Sequence, residues 1–143
     1  MQYLGNVHGY HTSLSSIEAT ATANQLLLDA ADVGSELFTI GKEADKKSEF
    51  AKEGGRLHNW LKHLNEAHMK TSGPFLMGDN VVPADFMLLS VFECLDFAIG
   101  ASVYEKILPR EISTWLVEMR KRKSYEDFKA TNPSPILFPS MKA

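Results

Sequence analysis

The chain is poor in most of what would mark a specialised protein. It has one cysteine, Cys94, which excludes an internal disulfide and suits a reducing compartment. No apolar run is long and unbroken enough to span a bilayer. The first residues lack the basic segment and apolar stretch of a secretory signal. A cytoplasmic protein with no membrane partner is therefore expected. The net charge of −3 supplies no basic excess, which argues against nucleic acid as a partner. No convincing alternation of polar and apolar residues reads as a strand. No internal repeat or low-complexity linker divides the chain.

What is present fits one all-α domain. A 44% hydrophobic content fills a core at this length, and 23% charged residues is ordinary for a globular surface. Apolar periodicity is helical, which predicts a bundle of about five or six helices. Ser15 and Glu18 make a capping box for a long first helix with the stripe Leu26, Ala30, Val33, Leu37 and Ile40, and Gly41 is a natural stop. A charged segment runs from Lys42 to Glu53. After Gly54-Gly55 comes a second stripe, Leu57, Trp60, Leu61, Leu64 and His68. The run from Phe86 to Ile99 is apolar nearly all round, with Ser90, Glu93 and Asp96 spaced by three on one narrow face. That pattern belongs at the centre of a bundle. Pro109 opens a helix with the stripe Ile112, Trp115, Leu116 and Met119. A short turn or helix follows at Tyr125 to Lys129. Three prolines after residue 132 make the tail extended.

Residues 73–86, GPFLMGDNVVPADF, are the most informative stretch. The Gly78-Asp79-Asn80 turn ends one segment and Pro83 opens the next helix, where its missing N–H costs nothing. Asp85 lies three residues after Val82, so its carboxylate reaches back to the N–H groups of the first turn as a structural helix cap. The capping role is favoured over a catalytic one. His58, His63 and His68 are spaced by five and do not converge on a helix, so no metal site is expected. Cys94 sits in the most apolar helix and reads as an inert packing thiol. The run from Arg120 to Lys123 reads as a solvated helix C-terminus.

The order Pro74-Phe75-Leu76-Met77-Gly78-Asp79, then Val81-Val82-Pro83-Ala84-Asp85, resembles the second domain of the soluble glutathione transferases. The family carries Ser or Thr where this chain has Val82, so half of the reciprocal cap is missing. Three further segments agree in order. Met1 to Leu4 and His8-Gly9-Tyr10 look like the end of the family's first domain. Trp115, Met119, Arg122 and Ser124-Tyr125 resemble its last long helix. Pro133 to Phe138 is similar to the return strand of the mu- and sigma-like classes.

The resemblance implies that residues 1–10 are the end of a thioredoxin-like domain with its linker, and that residues 11–143 are the C-terminal-like helical domain. It also implies conjugation of the glutathione thiol to apolar electrophiles, a detoxification reaction. The thiol-activating residue belongs to the first domain, so no catalytic residue is assigned here and the chain alone is expected to be inactive. Glutathione enters as co-substrate, with no other cofactor, and the full-length protein is expected to be a homodimer. Asn24 aligns with a family aspartate that reaches the glutathione amino group. Leu27, Ala30 and Gly34 align with the wall of the electrophile pocket, and Phe138 with the tail residue that covers it. The alternative is a non-enzymatic interaction module of the same fold, as in translation factors or aminoacyl-tRNA synthetase complexes.

Overall fold

A computed structural model describes residues 16–40, 43–68 and 72–131. Helix α1 spans Ile17–Ile40, α2 Ala44–Ala51 and α3 Arg56–His68. Helix α4 spans Pro83–Ala98 and α5 is the single turn Ala101–Tyr104, continued by a 3-10 turn over Glu105–Ile107. Helices α6, Arg110–Arg120, and α7, Lys123–Thr131, complete the described residues. Six of these helices have eight residues or more, and the described residues contain no strand, so the protein is all-α.

Each start has a local cause. The cap of α1 is Ser16, whose Oγ accepts the Ala19 N–H at 3.1 Å. It stands one residue beyond the serine expected from sequence, and Ser15 lies outside the described residues, as does Gly41. Gly54-Gly55 begins α3 and does not lie within it. A Cβ on Gly55 would fall 2.7 Å from the Glu49 carbonyl oxygen, so only glycine lets the chain turn so tightly out of α2. The charged segment after Lys42 contains α2, an element without a continuous apolar stripe that buries only Phe50 and Ala51.

Helix α4 is the centre. It packs against α1, α5 and α6, and α1–α4 is the most extensive helix–helix contact. The expected stripes face inward: Leu26, Ala30, Val33 and Leu37 from α1, and Ile112, Trp115, Leu116 and Met119 from α6, are all buried. The Phe92 ring of α4 lies 5.6 Å from Tyr104, 5.9 Å from Trp115 and 6.5 Å from Trp60, centroid to centroid and tilted in each case. Such aromatic pairs add to the stability gained from area alone.

Candidate functional site

The turn before α4 closes on itself. Phe75 N–H donates to the Gly78 carbonyl at 3.0 Å and Gly78 N–H returns to Phe75 at 3.1 Å. Gly73 backs onto this turn so closely that a Cβ there would lie 2.4 Å from the Gly78 carbonyl carbon. Asp85 then joins the turn to the bundle. Its Oδ2 accepts the Val82 N–H at 2.8 Å, and its Oδ1 accepts the Leu76 N–H at 3.0 Å and the Trp115 Nε1–H at 2.8 Å. Asp85 is 0% exposed, which makes each of these bonds costly to lose. Val82 has no side-chain oxygen, and the Asp85 N–H goes instead to the Val82 backbone carbonyl at 2.9 Å. Asp85 is thus a cap, as read from sequence, and also a bridge to α6.

Asn24, Leu27, Ala30 and Gly34 share one side of α1, within roughly 120° of helical arc. Ala30 is 1% exposed and belongs to the core. Asn24, Leu27 and Gly34 are half-buried along the edge of the core stripe. The Asn24 amide makes no side-chain hydrogen bond among the described residues. Gly34 faces α4, where an added Cβ would meet Val91 Cγ2 at 3.8 Å, an ordinary contact. Phe138 lies outside the described residues.

The narrow polar face of α4 is not a solvated strip. Glu93 Oε1 accepts from Tyr125 Oη at 2.8 Å and from Arg120 Nη2 at 3.0 Å, and Glu93 Oε2 accepts from Lys129 Nζ at 2.9 Å. Arg120 Nη2 also donates to Asp96 Oδ2 at 2.5 Å, and Tyr104 Oη donates to Asp96 Oδ1. Burial acts to raise the Glu93 pKa, but the bonds from Lys129 and Tyr125 and the Arg120 charge outweigh it, and the net shift is downward. Burial first, then the bond to Glu93, pushes the Tyr125 phenol up to about 12. Tyr104 is raised by burial and by its bond to Asp96. Cys94 is raised by burial and by neighbouring Glu93, which keeps the thiol protonated.

This network corrects the reading of the basic run as wholly solvated. Arg120 is held by two carboxylates. Arg122 is half-buried, with its guanidinium carbon 5.3 Å from the centre of the Phe75 ring. Lys121 and Lys123 do stay exposed, paired with Glu118 and Asp127. The spacing of Ser90, Glu93 and Asp96 was the signal for this network; its partners lie too far along the chain to be read from it.

The described residues form several concavities. A cleft of about 280 Å³ lies between α4, α6 and α7. An open groove of about 870 Å³ runs beside the end of α1, α2 and the start of α3, with the 2.7 Å Arg56–Glu36 ion pair in its wall. Leu27, Ala30 and Gly34 line neither. Among the described residues no group of three or more His, Cys, Asp or Glu side chains is placed to hold a metal. His58 Nδ1 accepts the Gly54 N–H at 2.7 Å, while His63 lies 3.4 Å from Asp29.

A central apolar helix, entered through a Gly-Asp turn and capped by a buried aspartate, keeps the features on which the resemblance to the glutathione-transferase helical domain rests. The family model described as glutathione S-transferase, C-terminal domain, matches residues 32–130, and the chain belongs to that family. Comparison with curated proteins and with solved structures returns no match.

Proposed function

We propose that this domain forms the electrophile-binding wall of a cytoplasmic glutathione transferase with a detoxifying role. The observation that carries the reading is the face of α1. There an amide with no side-chain partner among the described residues, Asn24, stands beside half-buried Leu27 and Gly34, with buried Ala30 as the floor. Family membership supports it.

In the proposed reaction the glutathione thiolate attacks a carbon of an apolar electrophile, the C–S bond forming as the bond to the leaving group breaks and that group departs with the electron pair. A thioredoxin-like domain activates the thiol. Leu27 and Gly34 desolvate and position the electrophile above buried Ala30, and Phe138 covers it. The Asn24 amide oxygen accepts a hydrogen bond from the glutathione ammonium. It brings no charge and holds that group less strongly than a carboxylate would.

The test is saturable binding of the uncharged dye N-phenyl-1-naphthylamine to the folded chain. Leu27→Glu is expected to abolish it with helix content unchanged. Binding unaffected by Leu27→Glu refutes the site.

The outer edge of the same helix favours a second reading. Ile17 is 89% exposed and Leu28 62%, two large apolar side chains open to a partner on the outer edge of α1. A second copy of the chain on that edge gives the homodimer. A different protein there gives the non-enzymatic docking module. Sedimentation equilibrium of the wild type and of Leu28→Glu separates the two, because only a homodimer dissociates with no other protein present.

A further inference from the structure

The cleft between α4, α6 and α7 plays no part in the function proposed above. At about 280 Å³ it falls at the small end of ligand pockets and suits a molecule of fragment size. Leu89 from α4, Met119 from α6 and Phe128 from α7 supply apolar walls. Glu93, Arg122 and Tyr125 bring polar groups to the same space.

Charge decides what fits. Glu93 has both oxygens engaged, by Arg120, Tyr125 and Lys129. Asp96 shares Arg120. Two carboxylates, Glu93 and Asp96, thus stand against two cations, Arg120 and Lys129, and balance. Arg122 is the cation left over. Among the described residues it forms no ion pair and its Nε has no hydrogen-bond partner, while its guanidinium lies over the Phe75 ring. A guanidinium is well matched to a carboxylate, and an amine in the same place would meet a cation.

We infer that this cleft binds a small aryl or branched-alkyl monocarboxylate. Its apolar group lies among Leu89, Met119 and Phe128, and its carboxylate lies on Arg122. The Tyr125 phenol donates to Glu93, and Lys129 and Arg120 neutralise Glu93, so the ligand anion does not face an uncompensated carboxylate.

The experiment compares 3-phenylpropionate with its uncharged amide, 3-phenylpropionamide, by backbone amide NMR titration of the full chain at neutral pH. The carboxylate is expected to bind about tenfold more tightly than the amide, as one charge-assisted contact gives. Its shifts are expected to centre on Ser90, Arg122 and Tyr125. Ser90→Phe, at an exposed lining position, fills the cleft and should weaken both probes. Arg122→Gln should erase the preference for the carboxylate. If that variant fails to fold, Arg122→Lys keeps the cation and should keep the preference. Absence of binding, equal affinity for the two probes, shifts centred on Leu27, or a preference that survives in Arg122→Gln overturns the inference. Loss of dye binding on the α1 face leaves it standing, because the two sites share no lining residue.

Discussion

Trp115 donates its indole N–H to the Asp85 carboxylate at 2.8 Å, across 30 residues of sequence. The bond ties the entry of the central helix to the middle of α6. The other oxygen of the same carboxylate holds the Val82 N–H of the first turn, so one side chain performs the local cap and the long-range bridge. A cap alone contributes about 1 kcal/mol. A buried acceptor with three N–H donors contributes more, because its removal leaves each donor dry.

Asp85→Ala is therefore expected to lower unfolding stability by about 3 kcal/mol or more. Asp79→Ala, in the exposed turn, is expected to stay within about 0.5 kcal/mol of wild type. Urea midpoints compare the two. Trp115→Phe combined with Asp85→Ala should show a coupling on the order of 1–2 kcal/mol. Equal midpoints for the two aspartate variants, or strictly additive losses in the pair with Trp115, would refute the bridge.

Glu93 gives the network a pH dependence. Its folded pKa lies below the ordinary 4.5, so its contribution is complete above that value. The contribution is lost as pH falls through the lower folded value. Glu93→Gln should cost about 2 kcal/mol at neutral pH, since it is 16% exposed and accepts three charged or phenolic donors. The gap between variant and wild type should close as pH falls well below 4.5, and urea midpoints across that range check it. Tyr125 supplies the opposite sign. Its phenol is pushed up to about 12, so its contribution is present below the ordinary value of 10 and is lost as pH rises towards 12. Phenolate absorbance in the native protein should show this late ionisation, and Glu93→Gln should bring it down.

Periodicity carried most of the fold. The stripes of α1 and α6 were legible because their apolar residues recur on one face, and all four residues of the α6 stripe are buried. Helix α2 was not legible. Its eight residues bury only Phe50 and Ala51, and a helix that short has no stripe to read. The capping role of Asp85 was legible because the acceptor and its first donor are three residues apart. Its bond to Trp115 was not, because no local rule pairs residues so distant. The same holds for Glu93: its spacing from Ser90 and Asp96 was visible, while Arg120 and Lys129 reach it only through tertiary packing. For the candidate site, helical geometry puts Asn24, Leu27 and Gly34 on one side, and Ala30, already legible as part of the core stripe, is buried there.

Gly34 separates stability from the proposed site. It lies within α1, and an alanine methyl there would touch Val91 Cγ2 at 3.8 Å without a clash. Gly34→Ala should raise stability by roughly 0.5–1 kcal/mol, because alanine loses less backbone freedom on folding. Thermal unfolding measures it. A loss of stability would show that α1 and α4 approach more closely than this contact allows.

The last prediction concerns activity. The function proposed for α1 is to position and desolvate an electrophile, and no residue described here is assigned to activate a thiol. The chain by itself should therefore not accelerate conjugation of glutathione to 1-chloro-2,4-dinitrobenzene, and it should pass through immobilised glutathione. It should still bind uncharged N-phenyl-1-naphthylamine, because an apolar face needs no activated thiol to hold an apolar ring. Phe138→Ala should weaken that dye with helix content unchanged if the tail residue acts as a cover. Unfolding of Phe138→Ala would make that residue part of the core and remove it from the pocket. Saturable conjugation by the purified chain would place a thiol-activating group within these 143 residues and overturn the division of labour proposed here.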